Sequence, residues 1–180
     1  MNIANLITIA RLLLVPVIVW LLISEAYPEA LGLFGLAALS DAADGWLARR
    51  LNALSELGRY LDPLADKVML VSSYATLGVT HVIPTWLVIM VISRDVLIVG
   101  GLLLAWMLEK PVAIKPLVVS KANTLAQFGY VVLILWQVSF GMVPALVSLI
   151  SAYGVGVLTV ISGIAYVRAW VTHMNRVVAP

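Results

Sequence analysis

Apolar residues run almost unbroken along this chain, in long blocks parted by short polar or proline-bearing breaks. The blocks fall near positions 6–24, 29–48, 62–81, 84–108, 121–140 and 143–168. Each is close to the roughly 20 residues that an α-helix needs to cross the hydrocarbon core of a bilayer. The runs are continuous rather than alternating, which excludes strands as the spanning element. The pattern therefore predicts an all-α integral membrane protein, a six-transmembrane-helix bundle forming one domain over 1–180. Ser24-Glu25-Ala26 faintly resembles a signal-peptide cleavage site. However, no basic region precedes the first block and Arg11 interrupts it, so it reads as a span.

Composition supports that reading. Of 180 residues, 63% are hydrophobic and 11% charged, against roughly 45–50% and about 25% in soluble domains. The mean hydropathy is +1.08. A soluble globular protein and a disordered chain are both excluded. The 11 Lys and Arg barely outnumber the 9 Asp and Glu and form no dense cluster, which excludes nucleic acid as a partner. There is no cysteine, so thiol and zinc-thiolate chemistry are absent.

Charge also sets the orientation. If the N-terminus is cytoplasmic, the inside connections hold Arg49, Arg50, Arg59, Lys110, Lys115 and Lys121, followed by Arg168 and Arg176 near the end. The outside connections, around 25–29, 81–84 and 141–144, hold no Lys or Arg. This distribution obeys the positive-inside rule only in that orientation and predicts two cytoplasmic termini.

Four carboxylates stand out. Asp41 and Asp44 lie inside the second apolar block, and Asp62 and Asp66 open the third. An ionised residue within a span costs at least about 2.5–3.5 kcal/mol, so such residues need partners. Positions 41 and 44 share one helical face and 62 and 66 share another, and a short connection makes the two helices antiparallel neighbours. The four acids can then converge near the cytoplasmic surface. Like charges that close require counter-cations, and oxygen-only ligands suit a hard ion such as Mg²⁺ or Mn²⁺. Gly45 and Ala48 leave room beside Asp41 for a ligand to approach, and Arg49 adds a planar cation suited to phosphate oxygens. Gly45, Ala48 and Gly58 would also serve plain helix packing.

Taken together, Asp41-x2-Asp44-Gly45-x2-Ala48-Arg49-x8-Gly58-x3-Asp62-x3-Asp66 resembles the full signature of the CDP-alcohol phosphotransferase family. The resemblance extends over nearly the whole chain and includes the opening Asn5-Leu6-Ile7-Thr8 with Arg11. Ala4 stands where the family often has proline. It implies transfer of a phosphatidyl group from CDP-diacylglycerol to an alcohol, with release of CMP. It implies that Asp41, Asp44, Asp62 and Asp66 hold two divalent cations, Mg²⁺ or Mn²⁺, and that Asp66 is the general base. Asn5, Thr8, Gly45, Ala48, Arg49, Ser55 and Gly58 would bind the CDP donor. The resemblance further implies a homodimer, and a multi-pass protein of the bacterial inner membrane with its active site at the cytoplasmic face.

The later blocks are expected to select the acceptor through Arg94, Lys115, Lys121 and Asn123, with Gln127 following at helical spacing. A buried Arg94 needs an anion, for which Asp95 is adjacent. Within the family, Ile92-Ser93-Arg94-Asp95-Val96 and Ser120-Lys121-x-Asn123-Thr124-x2-Gln127 are most similar to CMP-forming cardiolipin synthases, whose acceptor is phosphatidylglycerol. Phosphatidylglycerophosphate synthases, acting on glycerol 3-phosphate, tend to carry a second lysine where Asn123 stands. A dianionic acceptor calls for more positive charge than a phosphodiester. Two other classes give different expectations. An intramembrane prenyl transferase would lack the Gly-x2-Ala-Arg spacing, and an ion or proton pathway would spread its acids across the membrane depth.

Overall fold

The computed structural model describes residues 3–51, 56–107 and 118–178, with side chains described for 8–40, 63–101, 103, 104, 107 and 118–172. Among the described residues the regular secondary structure is all helix: α1 (Ile3–Ile23), α2 (Tyr27–Leu51), α3 (Glu56–Val79), α4 (Thr85–Met107), α5 (Val118–Phe140) and α6 (Ala145–Val178). The six apolar blocks and the six helices correspond one to one. The largest difference in where a helix begins is in α3, which starts at Glu56, so Asp62 and Asp66 do not open the helix but lie in its second and third turns. Glu56, Leu57, Arg59 and Leu61 are helix-compatible residues, so the charges of Glu56 and Arg59 end the apolar stretch without ending the helix.

The chain divides into two compact units. The first comprises Met1–Ile83 and Val131–Pro144. Here α1 packs against both α2 and α3. Its buried stripe is Thr8, Arg11, Val15, Ile18 and Leu22, alternating steps of three and four that keep one helical face inward. Ala30, Phe34 and Ala37 bury the corresponding face of α2, and Ala65, Met69, Tyr74 and Leu77 that of α3.

The second unit comprises Pro84–Tyr130 and Ala145–Pro180. Its buried α6 stripe, Ala152, Val155, Thr159, Ser162 and Tyr166, has the same spacing but turns polar in the middle. Three bonds fix the direction of α4 against α6. Ser162 accepts from Arg94, the Tyr166 hydroxyl donates to the Ile98 carbonyl, and the Trp170 indole donates to the Gly101 carbonyl. The sequence separation stays at 68 or 69 residues throughout, so the two helices run parallel.

Three helices end on a residue in the left-handed region: Glu25 after α1, His81 after α3 and Gly141 after α5. In the first two, the amide one residue further on donates back five positions, Ala26 to Leu21 and Val82 to Leu77. This arrangement satisfies carbonyls that the helix end leaves unpaired. Pro84 and Pro144 then precede α4 and α6, where a missing N–H does least harm.

The outward faces are apolar. Leu13 and Trp20 on α1, Leu36 and Leu39 on α2, Leu64 on α3, Val96 and Leu97 on α4, Leu125 on α5 and Leu146 on α6 are all exposed. Two helical stretches, Val118–Phe140 and Ala145–Thr172, are by themselves long and apolar enough to cross a bilayer.

Gly156 on α6 permits a close approach. A Cβ there would lie 2.9 Å from Cζ3 of Trp86, whose ring is stacked on Tyr153 at 5.2 Å and has little freedom to withdraw. Gly156→Ala is expected to destabilise the protein by about 1–3 kcal/mol through overpacking. Gly154→Ala, whose Cβ meets nothing within 4 Å, is expected to be neutral or slightly stabilising. Thermal unfolding of the two variants in detergent checks the contrast.

Candidate functional site

The acidic signature is carried on helices. The backbone of α2 is helical through 41, 44, 45, 48 and 49, and that of α3 through 58, 62 and 66. The face-sharing spacings 41/44 and 62/66 therefore hold in space. The side chains of Asn5, Asp41, Asp44, Gly45, Ala48, Arg49, Gly58 and Asp62 lie outside the described residues, as do Ser55 and Lys115.

Asp66 is described, and its surroundings show how the first unit positions it. Arg11 Nη1 donates to Asp66 Oδ1 at 2.8 Å, in an ion pair whose side chains are 3% and 27% exposed. Arg11 belongs to the buried stripe of α1, and Thr8, one turn earlier on the same stripe, is buried with it. Asp66 sits between the buried Ala65 and Met69. A guanidinium carried into an apolar helix would be costly by itself; matched to Asp66 it ties α1 to α3 and fixes the carboxylate's orientation through one oxygen. Pro63, between Asp62 and Asp66, removes one backbone rung in this stretch of helix.

The donor set fits a hard divalent cation in its chemistry, since every candidate ligand is a carboxylate oxygen. Among the described residues no group of three or more ligating side chains is assembled, Asp66 being the described member of the four.

The second unit holds the acceptor candidates. Arg94 is 3% exposed, and the anion expected beside it is present: Nη1 donates to Asp95 Oδ1 at 2.7 Å. Its Nη2 donates to Ser120 on α5 and to Ser162 on α6. One guanidinium thus joins three helices, while its Nε is buried with no hydrogen-bond partner. Asn123 is fully buried: the Thr159 hydroxyl donates to its Oδ1 at 3.0 Å and accepts from Gln127 Nε2 at 3.4 Å. Lys121, two residues before Asn123, is exposed. The structure thus joins Arg94 to Ser120 and Ser162 in one network and Asn123 to Thr159 in another, and leaves Lys121 at the surface of α5.

Four participants were not among the expected site residues. Arg11 belongs to the opening segment of the resemblance and interrupts an apolar block, but carried no assigned role. Ser120 opens the motif quoted for the fifth block, again with no assigned role, and Thr159 and Ser162 are small polar residues three apart in the sixth block.

Comparison with known proteins follows the same residues. The sequence profile of the CDP-alcohol phosphatidyltransferase family matches residues 1–164. The chain is 35% identical over 158 residues to the chloroplastic CDP-diacylglycerol--glycerol-3-phosphate 3-phosphatidyltransferase 1 of Oryza sativa subsp. japonica, covering 78% of this chain and 48% of that protein. It is 37% identical over 142 residues to the cardiolipin synthase (CMP-forming) of Rattus norvegicus, covering 70% of this chain and 47% of the relative. It is also 32% identical over 133 residues to a putative cardiolipin synthase of Mycobacterium tuberculosis, covering 73% and 62%. The chain spans about half the length of the first two relatives. With the family profile covering the signature on α2 and α3 and most of the remaining chain, the protein belongs to the CDP-alcohol phosphatidyltransferase family.

Proposed function

We propose that this protein transfers a phosphatidyl group from CDP-diacylglycerol to the hydroxyl of an acceptor alcohol and releases CMP, with phosphatidylglycerol as the acceptor. The observation that carries the transfer is the acidic signature on two helices, with Asp66 held in a defined orientation by Arg11. In this reading Asp66 accepts the proton of the attacking hydroxyl as its oxygen bonds to the β-phosphorus and the bond from that phosphorus to the CMP oxygen breaks. Arg11 is a positioning residue, fixing Asp66 through Oδ1. Two divalent cations, Mg²⁺ or Mn²⁺, held by Asp41, Asp44, Asp62 and Asp66, would neutralise charge on the donor's pyrophosphate and on the leaving CMP. Gly45, Ala48, Arg49, Ser55, Gly58, Asn5 and Thr8 bind the rest of the donor head.

The acceptor assignment rests on Asn123. Its amide lies in a fully buried position against Thr159, where a second lysine would bury a charge with no described counter-ion. A site with fewer cations favours a phosphodiester over the dianionic glycerol 3-phosphate. The relatives are named for both reactions.

The same proposal places the chain across the membrane six times as one domain. Exposed apolar residues on all six helices and the one-sided distribution of Lys and Arg support it. A charged nucleotide head and two acyl chains then meet the site at the cytoplasmic boundary, where water and lipid are both in reach.

Purified protein supplied with CDP-diacylglycerol is expected to release CMP with phosphatidylglycerol at least about tenfold faster than with glycerol 3-phosphate, a difference near 1.4 kcal/mol in the barrier. EDTA is expected to stop release, and added Mg²⁺ or Mn²⁺ to restore it. Turnover with glycerol 3-phosphate alone would reverse the acceptor assignment, and no CMP with either acceptor would overturn the reaction itself.

A further inference from the structure

The seam between the parallel helices α4 and α6 is not closed along its length. A cavity of about 440 Å³ opens there, walled by Met90, Leu97, Ile164 and Val167, with the exposed Arg168 at its margin. A second cavity of about 410 Å³ shares Leu97 and Val167 and continues to Leu104 and Val171. Met90, Leu97 and Leu104 recur every seven residues, and Ile164, Val167 and Val171 recur at steps of three and four. The two cavities therefore lie along one stripe of each helix. From Met90 to Leu104 the groove follows α4 for about 21 Å, longer than the roughly 15 Å half-thickness of a bilayer core. Gly163 keeps the wall low, since a Cβ there would meet only Arg94 Cγ, at 3.9 Å.

Two arginines border this groove, and they differ. The Nη atoms of Arg94 are engaged with Asp95, Ser120 and Ser162. Arg168 makes no ion pair among the described residues. A long apolar channel beside a planar cation that has no acidic partner among the described residues matches a molecule that has a hydrocarbon chain and a phosphodiester head.

We infer that the α4–α6 seam binds one anionic phospholipid, with its phosphate on Arg168 and one acyl chain lying along the stripe toward Met90. The phosphatidylglycerol headgroup is taken from the acceptor reading above, on which that part rests; the groove and its cation stand without it. A zwitterionic head gains less, because its own ammonium competes for the phosphate that Arg168 would hold.

The test uses the full chain purified in neutral detergent without nucleotide or metal. It is offered equal amounts of dioleoyl-phosphatidylglycerol and dioleoyl-phosphatidylcholine, and retained lipid is counted by native mass spectrometry. Wild type is expected to retain phosphatidylglycerol in at least about fivefold preference, the factor that one basic residue near an anionic lipid supplies. Arg168→Gln is expected to bring the ratio close to one. Ile164→Trp, at an exposed position that can accept a larger ring, is expected to lower retention of both lipids, as is Gly163→Leu. Equal retention by wild type, an undiminished preference in Arg168→Gln, or unchanged occupancy in both groove variants would overturn the inference. No catalysis enters this readout, so a protein that retains phosphatidylglycerol yet releases no CMP would count against the catalytic proposal alone.

Discussion

Asp66→Asn is expected to lower CMP release from CDP-diacylglycerol by about 10²–10⁴-fold while leaving a folded protein. The magnitude is that of a lost general base. The substitution keeps the shape of the side chain and an oxygen that still accepts from Arg11, so α1 and α3 stay joined. Weakening a charged hydrogen bond to a neutral one costs stability, about 1–2 kcal/mol. An amide cannot take the proton of the attacking hydroxyl, and it is a poorer ligand for a divalent cation than a carboxylate. Steady-state release of CMP, read beside the thermal midpoint of the same preparation, separates chemistry from folding. Turnover within threefold of wild type would remove Asp66 from the mechanism.

The second large effect is on stability. Arg94→Met is expected to destabilise the protein by about 3–5 kcal/mol, the usual cost of breaking a buried ion pair from one side. The substitution takes the guanidinium from Asp95, which is 5% exposed, and withdraws a donor from both Ser120 and Ser162. The double variant Arg94→Met/Asp95→Leu removes both charges and is expected to recover a large part of that loss. Denaturant titration of the two single variants and the double variant in one detergent gives the coupling. If the double variant is no more stable than Arg94→Met, the pair is not what holds this part of the protein together.

Much of the architecture was legible because each helix is a long apolar run and each break carries its own turn chemistry. Glu25, His81 and Gly141 fall in those breaks, as do Pro84 and Pro144. The start of α3 lies upstream of the apolar block because Glu56 and Arg59 are charged yet helix-compatible, and charge marks only where the apolar stretch stops. Residues close in sequence declared their relation: 62 with 66, and Arg94 with Asp95. Partners far apart did not. Nothing in a linear string joins Arg11 to Asp66 across 55 positions, or Arg94 to Ser162 across 68. A serine in an apolar helix looks alike whether it bonds its own backbone, as Ser73 does to Met69, or a buried arginine, as Ser162 does.

The parallel run of α4 beside α6 bears on how the chain is assembled during synthesis. Helices that point the same way cannot be joined by a tight turn, so Ser162 arrives only after α5 and the first half of α6 have been made. For all that time the guanidinium of Arg94 must be tolerated by a helix that still lacks its neighbour. Its acid is the very next residue, so α4 emerges from the ribosome as an already neutralised segment before Ser120 and Ser162 exist.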